Sequence, residues 1–182
     1  MGLVGESGCG KTILCRTLMG LLPPSAKISE TARILFNGQD LRGLSEKELR
    51  EIRGRDVAMI FQDPMTSLNP VMKVGAQISE TLIYHLGTSK REARERGVEL
   101  LRAVGISGPE LRIDQYPHQL SGGIRQRVAI AIALACEPKL LIADEPTTAL
   151  DVTVQSGILD LLREQQRKLN MSMILITHDL GV

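Results

Sequence analysis

The chain has 182 residues, 43% of them hydrophobic, 24% charged and 2% aromatic, and a formal net charge of +1. This suits one α/β domain with a sizeable core and room for a small subdomain. So few aromatics give single-stranded nucleic acid little to stack on, the charge gives no electrostatic case for nucleic acid or anionic lipid, and no apolar run approaches membrane-spanning length.

Leu3-Val4 reads as a strand, and the loop after it is the most informative stretch of the chain. Gly5-Glu6-Ser7-Gly8-Cys9-Gly10-Lys11-Thr12 fills every fixed position of the phosphate-binding pattern G-x-x-x-x-G-K-[ST]. Its glycines allow the positive φ angles that turn successive backbone N–H groups toward one anion. Lys11 supplies a point charge for the outer phosphates, and the Thr12 hydroxyl is placed to ligate Mg²⁺. A helix over residues 13–22 is expected from Leu14, Leu18, Leu21 and Leu22, stopped by Pro23-Pro24, with its positive end toward the same phosphates. These residues predict binding of a nucleoside triphosphate. Cys9 reads as a small residue at a variable position of the loop. With Cys15 and Cys136 it fits no metal-ligand spacing, and the odd count suits a reduced, cytosolic compartment.

Arg33 to Phe36 reads as a short strand closed by Asn37-Gly38. Ser45-Glu46-Lys47-Glu48 is a capping box that opens a short polar helix ending near Gly54. Val57 to Phe61 is a continuous apolar run, as expected of a strand buried on both faces of a parallel sheet. From Asp63 to about Gln119 the pattern turns to helices. There Ser89 caps a helix with Glu92, and Ala93, Gly97, Leu101 and Val104 line one face. The charges at Lys90, Arg91, Glu92, Arg94, Glu95 and Arg96 mix signs and read as solvated. His85 and His118 read as surface or satisfied histidines. An apolar helix is expected over residues 124–135, strands over 139–143 and 172–176, and between those strands a helix carrying Val154, Ile158, Leu161 and Leu162.

Taken in order, these motifs resemble those of an ATP-binding cassette ATPase. Leu140-Leu141-Ile142-Ala143-Asp144-Glu145 is similar to the second nucleotide motif, which implies that Asp144 holds Mg²⁺ and Glu145 polarises the attacking water. Leu120-Ser121-Gly122-Gly123-Ile124-Arg125-Gln126 resembles the family's signature, L-S-G-G-Q or, in the peptide-importer branch, L-S-G-G-M-R-Q; Ile124 is a mild departure. The resemblance implies a helix start capped by Ser121, with Ser121, Gly122, Gly123 and Gln126 meeting the ATP of an opposite subunit. Gln62 matches the Q-loop residue that reaches Mg²⁺ and water, Asp151 in Ala149-Leu150-Asp151 the D-loop at the dimer seam, and His178 the switch histidine at the γ-phosphate.

The stretches Phe61-Gln62-Asp63-Pro64-Met65-Thr66-Ser67-Leu68-Asn69-Pro70 and Tyr116-Pro117-His118-Gln119 resemble ATPase subunits of dipeptide, oligopeptide and nickel importers. The first covers the region where family members receive the membrane subunit's coupling helix. The implied architecture is a phosphate-loop NTPase (RecA-like) parallel-sheet core, about 1–62 and 129–182, with an inserted helical subdomain of about 63–128. Implied too are ATP and Mg²⁺ as cofactors, a second ATPase subunit identical or paralogous, membrane permease subunits and, indirectly, an extracytoplasmic binding protein. The expected place is the cytoplasmic face of the cell membrane, with no nucleic acid partner. The ends depart from the family pattern: the adenine-stacking aromatic before the loop is missing, and Met1–Val4 reads as the stub of a central strand. The chain is therefore expected to be a cassette truncated at both ends, weak in ATP binding. Two rival readings are a non-transport cassette ATPase of the DNA-repair or translation type and an inactive truncated cassette. Against the first stand the short interval before the signature, without heptads, and the single cassette.

Overall fold

The computed structural model describes residues 1–6, 8–23, 25–63, 67–148 and 150–178. Strand β1 (Gly2–Val4) leads through the glycine loop to α1 (Lys11–Leu18). A hairpin of β2 (Leu35–Phe36) and β3 (Gln39–Asp40) turns at Asn37 and Gly38, whose φ angles of 49° and 82° are those a two-residue hairpin needs. Helix α2 (Glu46–Ile52) starts at the expected capping box of Ser45 and Glu48 and precedes β4 (Val57–Ile60). Helices α3 (Val74–Leu86), α4 (Lys90–Ala103), α5 (Pro109–Arg112) and α6 (Gly122–Leu134) follow. The chain then forms β5 (Leu140–Asp144), α7 (Val152–Leu169) and β6 (Ser172–Thr177).

Strands β1, β6, β5 and β4 lie side by side in that order, every pair parallel. Alternation along them divides the core. Val57, Ile142 and Ile176 face Cys15 of α1 and Met19 at its C-cap, whereas Ala58, Ile60, Leu141 and Ala143 face the helices α3, α4, α6 and α7. The sheet is covered on both sides, which is why these strands read as unbroken apolar runs. Among the described strands β1 pairs with β6 alone.

Helix α1 ends earlier than expected. Gly20, at φ 62°, closes it, with its N–H donating to Thr17 O and that of Leu21 to Arg16 O. This left-handed cap stops the helix before either proline is reached; Pro24 lies outside the described residues. Its buried face carries Cys15 and Met19, and Leu14 is 45% exposed.

Helix α3 has no side-chain cap. Its first donors are met instead by backbone across the fold, Val74 N to Gln115 O at 2.9 Å and Gly75 N to Ile113 O at 2.8 Å. The approach requires glycine, since a Cβ on Gly75 would lie 2.5 Å from Ile113 Cγ1 and 2.9 Å from its carbonyl oxygen. Alanine normally favours a helix over glycine by about 1 kcal/mol. Gly75→Ala is nevertheless expected to destabilise the protein by about 1–3 kcal/mol through overpacking, read as a lower urea midpoint. An unchanged or higher midpoint would show that the contact yields.

Candidate active site

The carboxyl ends of the four strands lie along one edge: Val4 is in register with Thr177, Asp144 with Ile176 and Ile60 with Ala143. The glycine loop, Gln62, Glu145 and His178 all leave from this edge, where open α/β sheets hold ligands.

In the loop, Gly8 and Gly10 adopt φ of 82° and 95°, the left-handed region expected of them. Gly5 differs, lying close against Cys9, where a Cβ would come 2.8 Å from Sγ. Ser7 lies outside the described residues. Lys11 is 8% exposed. Its ammonium donates across the loop to the carbonyls of Gly5 at 2.6 Å and Glu6 at 2.7 Å, 3.7 Å from the Cys9 sulfur. Gly10 is the N-cap of α1, so no side chain caps the first N–H groups beside Thr12. A cation ringed by backbone at an uncapped helix start can cradle an anion.

Asp144 is 1% exposed, and its Oδ1 has no hydrogen-bond partner. Burial pushes its carboxyl up and the neighbouring Glu145 adds to this, while the Thr12 hydroxyl and the charges of Arg16 and Lys11 pull it down. A dry carboxylate with an open oxygen beside a hydroxyl fits a hard divalent cation. Among the described residues no group of three or more His, Cys, Asp or Glu could hold a metal.

Glu145 adopts φ 47°, with its N–H donating to Ile176 O at 3.0 Å. Its side chain is 11% exposed. Gln62 Nε2 and Thr148 Oγ1 donate to its Oε2 at 3.0 and 2.9 Å, and His178 Nδ1 lies 3.1 Å from the same oxygen. Gln62, Glu145 and His178, drawn from three separate motifs, thus form one cluster. Thr148 joins it unannounced by the sequence reading; its one signal is a hydroxyl three residues beyond a strand-end carboxylate. Asp179, next to His178, lies outside the described residues.

The signature segment is more mixed. Ser121 is the N-cap of α6 and is exposed with Gly122, yet its hydroxyl makes no capping bond, contrary to expectation. Gln126 is a second correction. It is 1% exposed, and neither amide atom has a partner. Four residues on from Gly122, it shares the helix face that Gly122 turns to Leu150, so it points into the protein and not to a facing subunit. Asp151 caps α7, its carboxylate accepting from Val154 N at 2.9 Å, a local role the sequence reading had not assigned. Ala149 lies outside the described residues.

The ABC transporter family model matches residues 1–148. The chain belongs to the ABC transporter family. It is 60% identical over 181 residues to the dipeptide transport ATP-binding protein DppD of Bacillus subtilis, covering 99% of this chain and 54% of that protein. It is 57% identical to the oligopeptide transport ATP-binding protein OppD of the same organism, covering 100% and 51%. The chain thus spans about half the length of these relatives. Its fold is that of a solved dimeric ATP-binding cassette in a post-hydrolysis state bound to ADP and Pi, with a TM-score of 0.84 at 30% identity over 99% of this chain and 75% of that one. The solved cbiO1 of Clostridium perfringens, part of the ABC transporter complex cbiONQ, matches with a TM-score of 0.77 at 35% identity over 98% of this chain and 66% of that one.

Away from the carboxylate cluster, this ABC chain has a mainly apolar cavity of about 280 Å³ whose lining includes Met19, Arg53, Phe61, Leu68 and His85. It adjoins the segment 61–70, of which Pro64, Met65 and Thr66 lie outside the described residues. His85 corrects the expectation of a satisfied histidine: its Nδ1 is buried without a partner, and burial pushes its pKa down. His118 is exposed and stacks on Tyr116, as a surface histidine should.

Burial pushes the Cys15 thiol up to about 11, with Asp144 adding to it, and burial also raises Cys136. Cys9 is exposed. Alkylation at about pH 8, followed by peptide mass spectrometry, is expected to mark Cys9 first and Cys15 last. Equal rates at Cys9 and Cys15 in the folded protein would show that α1 does not shield the latter.

Proposed function

We propose that this chain is the ATP-binding and ATP-hydrolysing part of an importer, acting with separate membrane subunits. The observation that carries the reading is the meeting of Gln62, Glu145 and His178 at one carboxylate oxygen, on the sheet edge that also bears the glycine loop. The relatives' names favour peptides as cargo over nickel, since they describe dipeptide and oligopeptide transport proteins.

In this reading the loop Gly5–Thr12 wraps the β- and γ-phosphates, and Lys11 turns its ammonium from the loop carbonyls toward their oxygens. Thr12, Asp144 and Gln62 would hold Mg²⁺, whose charge would offset that of the phosphate oxygens. Glu145 orients and deprotonates the attacking water. Gln62, Thr148 and His178 occupy its Oε2, which leaves Oε1 for that task. His178, holding Glu145 through Nδ1, keeps Nε2 for the γ-phosphate. The rate comes mainly from position and charge, since in-line phosphoryl transfer asks little covalent chemistry of the protein.

Two such subunits would close head to tail, each placing Ser121, Gly122 and Gly123 on its partner's ATP and Asp151 at the seam. The exposure of Ser121 and Gly122 and the dimeric state of the solved cassette support this arrangement. The partner subunit can be a copy or a paralogue. A membrane subunit would dock at the cavity beside Phe61 and His85, and a binding protein would deliver cargo on the far side. No helix among the described residues is long and apolar enough to cross a membrane, and the proposed place is peripheral, on the cytoplasmic face. The division into a core of 1–62 and 129–182 and a helical part of 63–128 is part of this reading. Helix α6 runs unbroken across residue 128, so the two parts share it.

Glu145→Gln is expected to preserve ATP binding and slow single-turnover hydrolysis by about two to four orders of magnitude, the usual worth of a positioned base. A rate within about threefold of the parent would overturn the role of Glu145. In a mixed dimer, Ser121→Arg on one subunit is expected to disable the site that carries the other subunit's Lys11. Loss confined to the mutated subunit's own site would refute the trans arrangement.

A further inference from the structure

Arg53 stands outside every motif above, yet it joins two of them. It is the C-cap of α2, four residues before β4, and its side chain is 17% exposed. The guanidinium spans the end of α1: Nε donates to Met19 O at 2.6 Å and Nη2 to Gly20 O at 2.8 Å. Its remaining edge, Nη1, meets Glu46 Oε1 at 2.7 Å. The two carbonyls are those left over when the Gly20 turn has taken Arg16 O and Thr17 O. Gly20 fits the fork closely, since a Cβ there would lie 2.9 Å from Nη2. A planar fork suits two adjacent carbonyls as a lysine ammonium does not.

The connection runs in both directions. Helix α1 carries Lys11 and Thr12 at its start, and its eight residues form a lever only about 12 Å long. Arg53 is also bridged to Val57 at the start of β4, with Gly54 N donating to Val57 O at 2.9 Å. That strand ends two residues before Gln62, which holds Glu145. We propose that Arg53 is a positioning residue, fixing the phosphate-loop helix against the strand that carries Gln62 so that bound γ-phosphate and the Glu145 cluster stay in register. The proposal rests on the ATPase reading above.

The phosphate contacts belong to α1 and its loop, so they should survive the loss of Arg53, while alignment with Glu145 should not. In the intact protein, Arg53→Ala is expected to lower kcat at least tenfold while KM for MgATP, and the affinity and stoichiometry for a fluorescent ADP analogue, stay within about threefold of the parent. Arg53→Lys, which keeps the charge and loses the fork, should recover less than half of the lost rate. A purely structural role would instead reduce binding stoichiometry in step with kcat, and that result overturns the proposal, as does a kcat within threefold of the parent. A parent that binds the analogue but does not hydrolyse ATP would sink the ATPase reading itself, and this inference with it. If Arg53→Ala fails to fold, Arg53→Lys alone decides: unchanged kcat overturns, and reduced kcat with intact binding supports.

Discussion

The parallel pairing of β5 with β4 on one side and β6 on the other is the constraint on which the rest of this molecule depends. In a parallel sheet every strand ends at the same edge, so residues far apart in sequence are delivered together. Reversing one strand would carry its terminal residue to the opposite edge, a strand's length away. The pairing is held by burial. Leu141 and Ile142, on opposite faces of β5, are both fully covered, and each such side chain contributes about 1.5–3 kcal/mol. The covering helices therefore stabilise the site indirectly, by making the central strand apolar on both faces and fixing its register.

At the end of β5 the chain departs from relaxed geometry. Glu145 is a carboxylate residue in the left-handed region, a conformation worth about 1–3 kcal/mol of strain for a non-glycine residue. Part of this is offset by the bond from its N–H to Ile176 O, which extends the β5–β6 ladder by one residue. Part is offset by the donors gathered at Oε2. The turn separates two adjacent acids: Asp144 stays buried within the sheet, and Glu145 swings to the edge. One strand end thus supplies two carboxylates of different environment, one dry with an open oxygen and one tied by hydrogen bonds.

What could be read from the sequence was whatever depends on neighbours along the chain. The glycine loop, both capping boxes, the apolar strands and the order of motifs are local patterns, and they appear where expected. What escaped depends on contacts across the fold. Leu14 and Cys15 are both apolar enough for a helix face, and only the position of the sheet decides that Cys15 is buried and Leu14 exposed. Gln126 stands in a motif whose neighbours are exposed, and only the helix's rotation turns it inward. Thr148 and Arg53 contribute through a single hydroxyl and a single guanidinium, which no periodicity reveals.

The same distinction explains why the two glycines after Ser121 matter in a way a turn pattern does not. Neither has positive φ, so conformational freedom is not their use. A Cβ on Gly123 would lie 3.0 Å from Val154 Cγ1, and one on Gly122 3.7 Å from Leu150 Cδ2. Bare backbone lets the start of α6 lie directly on the start of α7, which Asp151 caps. Farther along, α6 is fastened again, with Arg127 donating to Val104 O at 2.5 Å, the carbonyl just beyond the end of α4. Gln165 of α7 reaches Ala103 O beside it at 3.2 Å. The C-terminal end of α4 is therefore fastened to both α6 and α7, and Val128 and Ile130 bury the middle of α6 in the main core cluster with β4 and β5. The start of α6, capped by Ser121, thus lies on the start of α7, and its middle lies on β4 and β5. The proposed partner-facing rim and the proposed hydrolytic edge are in this sense two ends of one packed body.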